Sequence, residues 1–189
     1  MIGSETSGGI ENLYAHDCQF NGTDRVIRIK TDRGRGACIR NCWFKDMAAD
    51  TIQREAIRIN MLYSGGNRLP VQEVNSGTPV IEDIHYENIS CNYSKQNVIQ
   101  IIGLPEMPVQ NVTFKNINLG GRIGIDVKDA KNVTFENVAI SNKVGPPASI
   151  SFSDNITINK LKIVETEPEK LPILLQDIHH LKMSSLEYY

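Results

Sequence analysis

Asn132-Val133-Thr134-Phe135-Glu136-Asn137-Val138 reads almost as a copy of Asn111-Val112-Thr113-Phe114-Lys115-Asn116-Ile117, 21 residues earlier. Each block opens with Asn and places apolar residues at offsets one, three and six. The same outline returns in Asp83 to Ile89, in Asn155 to Leu161 and in His180 to Leu186. Towards the N-terminus, Asn12 to Phe20 fits it, and Gly36 to Phe44 aligns beneath that block. On this alignment the openers fall at 12, 36, 83, 111, 132, 155 and 180, with steps of 24, 47, 28, 21, 23 and 25. The step of 47 holds an insertion or a degenerate block.

A second short apolar run precedes the later blocks: Val26 to Lys30, Ala56 to Met61, Val98 to Ile102, Ile123 to Val127, Ser149 to Phe152 and Ile173 to Leu175. Gly, Asn, Asp and Pro punctuate the joins, as at Asn21-Gly22, Gly120-Gly121 and Gly145-Pro146-Pro147. These residues suit corners, because they tolerate or preset turn conformations. Most steps fall between 21 and 28 residues, and no segment sustains a helical period. That predicts an all-β chain, a right-handed parallel β-helix, over residues 1–189 as a single domain. A leucine-rich repeat would need a Leu-x-x-Leu-x-Leu pattern, which is absent, and a sandwich would need hairpin signals every 8–12 residues. In such a solenoid the Asn openers stack at about 4.8 Å into an amide ladder.

Composition narrows the function. Twenty Lys and Arg against 22 Asp and Glu leave a formal charge of -2, unlike a nucleic-acid binder that works by bulk attraction. No apolar run reaches the ~20 residues of a membrane helix, and the opening residues show no basic-then-apolar pattern, so no secretion signal is expected within this stretch. Cys18, Cys38, Cys42 and Cys91 form no paired Cys-x-x-Cys knuckles, so they read as small buried hydrophobes. On the alignment above Cys18 and Cys42 share an offset in adjacent coils, where they would stack as thiols or, alternatively, form a disulfide. Asn-x-Ser/Thr occurs at Asn21, Asn88, Asn92, Asn111, Asn132 and Asn155. At the openers this is read as turn chemistry followed by strand chemistry rather than as glycan acceptors. Asp177, His179 and His180 look like metal ligands on paper, but with no obvious further ligand they read as surface; no metal or cofactor is expected.

The chemistry-bearing stretch is Arg28-Ile29-Lys30. Alternation sends Ile27 and Ile29 to one face and Arg28 and Lys30 to the other, about 7 Å apart along the strand. Two cations on one face repel; a bound carboxylate removes that repulsion. The plainer alternative is a solvated basic strand face.

Gly3-Ser4-Glu5, Asn21-Gly22-Thr23-Asp24-Arg25, Arg28-Ile29-Lys30-Thr31 and Arg33-Gly34-Arg35-Gly36, in that order, resemble the polygalacturonases of glycoside hydrolase family 28, and look closest to bacterial exo-acting members. The resemblance is dense over residues 2–45 and generic beyond. It implies a pectin-lyase-like β-helix, a polygalacturonate or oligogalacturonide partner, and inverting hydrolysis by an enzyme that is secreted or periplasmic. It makes Arg28 and Lys30 carboxylate-binding residues and places a substrate-stacking tyrosine at Tyr63. The family's Asn-Thr-Asp, Asp-Asp and Gly-His-Gly motifs are missing. The expectation is therefore the C-terminal portion of a larger catalytic β-helix, truncated at its N-terminal end, with no catalytic residue in this chain. Such a piece would be inactive alone and prone to self-association through its first coil. A non-catalytic uronate-binding solenoid is the alternative. A calcium-dependent lyase, with Asp24 and Asp32 as ligands, is a lesser one.

Overall fold

The computed structural model describes residues 1–62, 68–164 and 172–189. Among these residues nine strands follow one another: β1 (Ile10–Phe20), β2 (Ile27–Lys30), β3 (Cys38–Ile52), β4 (Ile57–Asn60), β5 (Val80–Ile102), β6 (Val109–Lys128), β7 (Ala130–Ile163), β8 (Leu174–Met183) and β9 (Leu186–Tyr188). Every pairing between them is parallel, in the order β1-β3-β5-β6-β7-β8, with β2 on β4, β4 on β5 and β9 on β7. No described residue is helical. The chain thus winds as a parallel β-helix, as the repeats predict.

The long strands turn corners without losing their ladders, and the corners explain the Asn pattern. Asn12, Asn41, Asp83, Asn111, Asn132, Asn155 and His180 all have φ between 51° and 58°. A second row lies five residues on, at Asp17, Asp46, Asn88, Asn116, Asn137 and Lys160. An ordinary residue loses ~1–2 kcal/mol in the left-handed region, whereas Asn and Asp visit it routinely. Their side chains then bond from coil to coil. Asn132 donates to Asn111 at 2.8 Å, Asn155 to Asn132 at 2.8 Å, Asn116 to Asn88 at 3.1 Å and Asn137 to Asn116 at 2.9 Å.

Register corrects the second repeat. Leu13 pairs with Cys42 and Cys18 with Met47, which places Asn12 opposite Asn41 and not Gly36. The cysteines of adjacent coils therefore do not stack on each other, and all four are free. Gly36 instead sits in a loop, with φ +60° and the Ser76 carbonyl 2.5 Å from where a Cβ would lie. The long step now runs from Asn41 to Asp83 and contains the connection between β4 and β5.

Inside the coils, equivalent side chains lie in rows. Ile29, Ile59, Ile101, Val127 and Ile150 form one such row by register, all essentially inaccessible. Phe44, Tyr86, Phe114 and Phe135 form another, with successive ring centroids 5.3, 4.9 and 5.0 Å apart and planes within 14°. Burying each large side chain contributes roughly 1.5–3 kcal/mol, enough to outweigh a strained corner.

Residues 1–3 add to the β2 side of the stack. Ile2 donates to the Arg28 carbonyl at 2.7 Å and accepts from Lys30 N at 3.0 Å. Gly3 has φ +87°, and a Cβ there would meet the Lys30 carbonyl at 1.9 Å, so only glycine lets the chain cross.

Candidate carboxylate-binding site

β2 alternates as its sequence requires. Ile27 and Ile29 are 4% and 0% exposed and face the core, while Arg28 and Lys30 stand half-buried on the outer face. One rung away in β4, Arg58 lies directly opposite Arg28 and Asn60 opposite Lys30. The two outward residues of β4 behave differently. Asn60 is buried and its Oδ1 caps Leu62 N at 2.6 Å. Arg58 remains partly open on the face with Arg28.

Beneath them lies a buried carboxylate. Glu55, 2% exposed, accepts from Arg25 Nε at 2.6 Å and from Arg58 Nη1 at 2.7 Å, one arginine on each oxygen. Arg25 also pairs with Asp24, which in turn takes Arg54 Nε at 3.2 Å. Among the described residues, Arg25, Arg28, Arg54 and Arg58 thus gather around Asp24 and Glu55. Lys30 adds a further cation.

Burial first, and neighbouring charge second, sets the acid–base chemistry of this face. Burial lowers the Arg28 pKa and the Arg25 and Arg58 charges lower it further, with Glu55 and Asp24 acting in the opposite direction. Lys30 is lowered by burial and then by Arg28. Arg58 is lowered chiefly by burial, with Glu55 acting in the opposite direction. Among the described residues, no acceptor reaches the buried Nε of Arg28, the buried Nε of Arg58 or the buried Nη2 of Arg25. The face carries surplus positive charge in a part-desolvated setting, where an anion is favoured.

Just beyond β2, one arginine ties the β5–β6 connection, at Glu106, to the β4–β5 connection, at Pro70. Arg33, just past β2, makes a two-pronged pair with Glu106 at 2.7 and 2.8 Å and donates to the Pro70 carbonyl at 3.0 Å. Further along, Arg68 bonds Asp129 at 2.9 Å and lies 4.1 Å over the Phe152 ring. Tyr63, expected to stack on substrate, lies outside the described residues.

The alternatives fare differently. Asp24 is engaged by two arginines, and Asp32 Oδ1 accepts from Arg33 N at 2.8 Å, so the two carboxylates of the lyase reading are spent on neighbours. No group of three or more His, Cys, Asp or Glu side chains among the described residues could hold a metal ion. His180 pairs with Asp154 at 2.8 Å. Sequence reasoning missed Arg58 and Glu55. The signal was present, since Arg58-Ile59-Asn60 echoes Arg28-Ile29-Lys30, but only the register makes the two arginines neighbours.

Comparison with known proteins agrees with this fold. Residues 1–124 match the family model described as Glycosyl hydrolases family 28. A probable polygalacturonase of Vitis vinifera is 25% identical over 118 residues, 62% of this chain and 23% of the relative. A probable endopolygalacturonase of Neosartorya fischeri is 27% identical over 124 residues, 64% of this chain and 32% of the relative. The chain thus spans about a quarter to a third of the length of these plant and fungal proteins. No solved structure matches. Its repeats, its coiled parallel strands and the match over its first 124 residues together make the chain a member of glycosyl hydrolase family 28.

Proposed function

We propose that the chain serves pectin breakdown, and that its Arg28–Lys30 face holds a galacturonate carboxylate of the polysaccharide. The observation that carries this reading is the surplus of cations over carboxylates, among the described residues, on one part-buried face. Arg28 offers a planar fork and Lys30 a point charge, a combination suited to fixing a carboxylate in orientation. A charge-assisted contact of this kind contributes on the order of 1.5–3 kcal/mol.

The reaction would be hydrolysis of the glycosidic bond with inversion. That chemistry uses a general acid and a water-activating carboxylate about 6.5–9.5 Å apart. The sequence has none of the three acidic and histidine motifs expected for that task. In this reading the chain binds and orients substrate, and cleavage requires carboxylates from elsewhere in the enzyme. The site of action is outside the cytoplasm, where pectin lies.

Calorimetric titration with oligogalacturonides tests the proposal. Wild type is expected to bind, and Arg28→Ala to bind at least about tenfold more weakly, the loss of one charge-assisted contact. Equal affinity of the two proteins would defeat it.

A further inference from the structure

We infer that Arg58 is a second carboxylate-binding residue, forming with Arg28 a two-guanidinium clamp that selects free uronate over its methyl ester. The inference rests on the reading of the Arg28–Lys30 face given above and extends it to a residue outside the Arg-Ile-Lys stretch.

Register comes first. Arg28 and Arg58 are partners in a parallel ladder, so their Cα atoms are separated by one strand spacing, about 4.8 Å. Both project from the outer face, since Ile27, Ile29, Ile57 and Ile59 around them all point inward. Like charges this close on adjacent strands repel and destabilise the pair unless something of opposite sign stands between or before them.

Glu55 is not enough. It offers two oxygens, and Arg25 takes one and Arg58 the other. Arg28 feels the Glu55 charge but hydrogen-bonds neither of its oxygens; its guanidinium meets Met1 Sδ at 3.9 Å, a weak acceptor. Asp24 is engaged by Arg25 and Arg54, and Glu5 is paired with Arg35. The Nε atoms of both Arg28 and Arg58 are buried and lack an acceptor among the described residues. Buried donors left without partners are rare in folded proteins and call for an explanation.

A carboxylate from outside can meet the exposed remainder of the two guanidinium groups, since Arg28 and Arg58 are both only partly buried. Its two oxygens can each accept from a different guanidinium, so one anion bridges Arg28 and Arg58 while Lys30 lies alongside. A methyl ester carries no charge and keeps one weakened acceptor, which cannot offset two adjacent cations. Glu55 then acts as a positioning residue: it fixes the Arg58 head group from below and leaves its outer edge towards the ligand. Asn60 marks the contrast. It stands opposite Lys30, yet it turns away to cap Leu62, so the clamp gains its second arm only at position 58.

The test is titration of wild type, Arg28→Gln, Arg58→Gln, Arg58→Lys and the double variant Glu55→Gln/Arg58→Gln with oligogalacturonides of one length, free and fully methyl-esterified. Thermal unfolding of each is followed in parallel. The double variant removes the buried carboxylate with its partner, so it retains charge balance if Arg58→Gln alone folds poorly. The expected result is a loss of about tenfold or more for free oligomer in Arg58→Gln and in the double variant. Arg58→Lys should recover part of it, and the weak binding of the ester should not move. Wild-type affinity in both Arg58→Gln variants, with binding lost in Arg28→Gln, would overturn the clamp and leave the Arg28–Lys30 reading standing. Failure of wild type to bind any free oligomer would overturn both.

Discussion

Asn132 donates its side-chain amide to Oδ1 of Asn111 across 2.8 Å and accepts from Asn155 across the same distance. It does so from a left-handed backbone, with φ 54°. Asn132→Ala removes both bonds and places a Cβ residue with no polar side chain at that angle. The expected cost is about 2–3 kcal/mol, from two net hydrogen bonds and the conformational strain. Asn132→Gly keeps the backbone relaxed and should cost about half as much. Urea midpoints at unchanged slope measure the difference. Equal losses for Ala and Gly would show that the angle contributes nothing.

Tyr86 sits in the aromatic row between Phe44 and Phe114, fully buried, and no described residue bonds its hydroxyl. Burial raises its pKa well above the ordinary phenol value, so the hydroxyl stays neutral. Tyr86→Phe keeps the stack and discards an unsatisfied polar group. It should be neutral or stabilising by up to ~1 kcal/mol. Phe114→Ala, two faces of whose ring are covered, should cost ~3–5 kcal/mol. A clear destabilisation by Tyr86→Phe in denaturant titration would reveal a partner for that oxygen.

Glu55 neutralises Arg25 and Arg58 from inside the fold. Glu55→Gln leaves guanidinium groups with half-satisfied surroundings, and breaking a buried pair from one side costs about 3–5 kcal/mol. Oligogalacturonide added at saturation should restore part of that stability, because the anion binds only the folded chain. A thermal shift assay with and without ligand decides it; equal shifts for Glu55→Gln and wild type would count against the shared electrostatic origin.

The Arg33–Glu106 pair gives a pH dependence. Burial alone would raise the Glu106 carboxyl, but the Arg33 hydrogen bonds and charge outweigh it, and the folded pKa lies below the ordinary 4.5. A depressed folded pKa means that its stabilisation is complete above about pH 4.5 and drains away as pH falls through the lowered value. Glu106→Gln should therefore lower stability at neutral pH and flatten the acid limb of the stability curve. An acid limb as steep as that of wild type would place the titration elsewhere.

Much of the coil was legible because its physics repeats. Asn111, Asn132 and Asn155 occupy a conformation few residues accept, so chemistry and spacing recur together. Ile27 and Ile29 announced their face by alternation, and with it the face of Arg28 and Lys30. The second repeat was misplaced because Gly36 and Cys42 made an attractive alignment with Asn12 and Cys18. The ladder, which pairs Asn12 with Asn41, was invisible until the strands were in register. Arg58 stayed hidden for the same reason. It lies 30 residues from Arg28 along the chain, and only a parallel pairing brings the two side by side.

The corner ladders also have a direction. Every rung amide donates towards the preceding coil, so aspartate, which at neutral pH only accepts, can stand only at the head of a run: Asp83 above Asn111, and Asp46 above Asn88. Above Asp83 the sequence of rungs is interrupted, and Asn41 Oδ1 takes its hydrogen instead from the Trp43 indole at 3.0 Å. The coils are therefore not interchangeable tiles. Shuffling them, or grafting one into another solenoid, keeps the side-chain bonds only where each acid heads a bonded run, a syntactic rule that identical lengths and matching cores would not reveal.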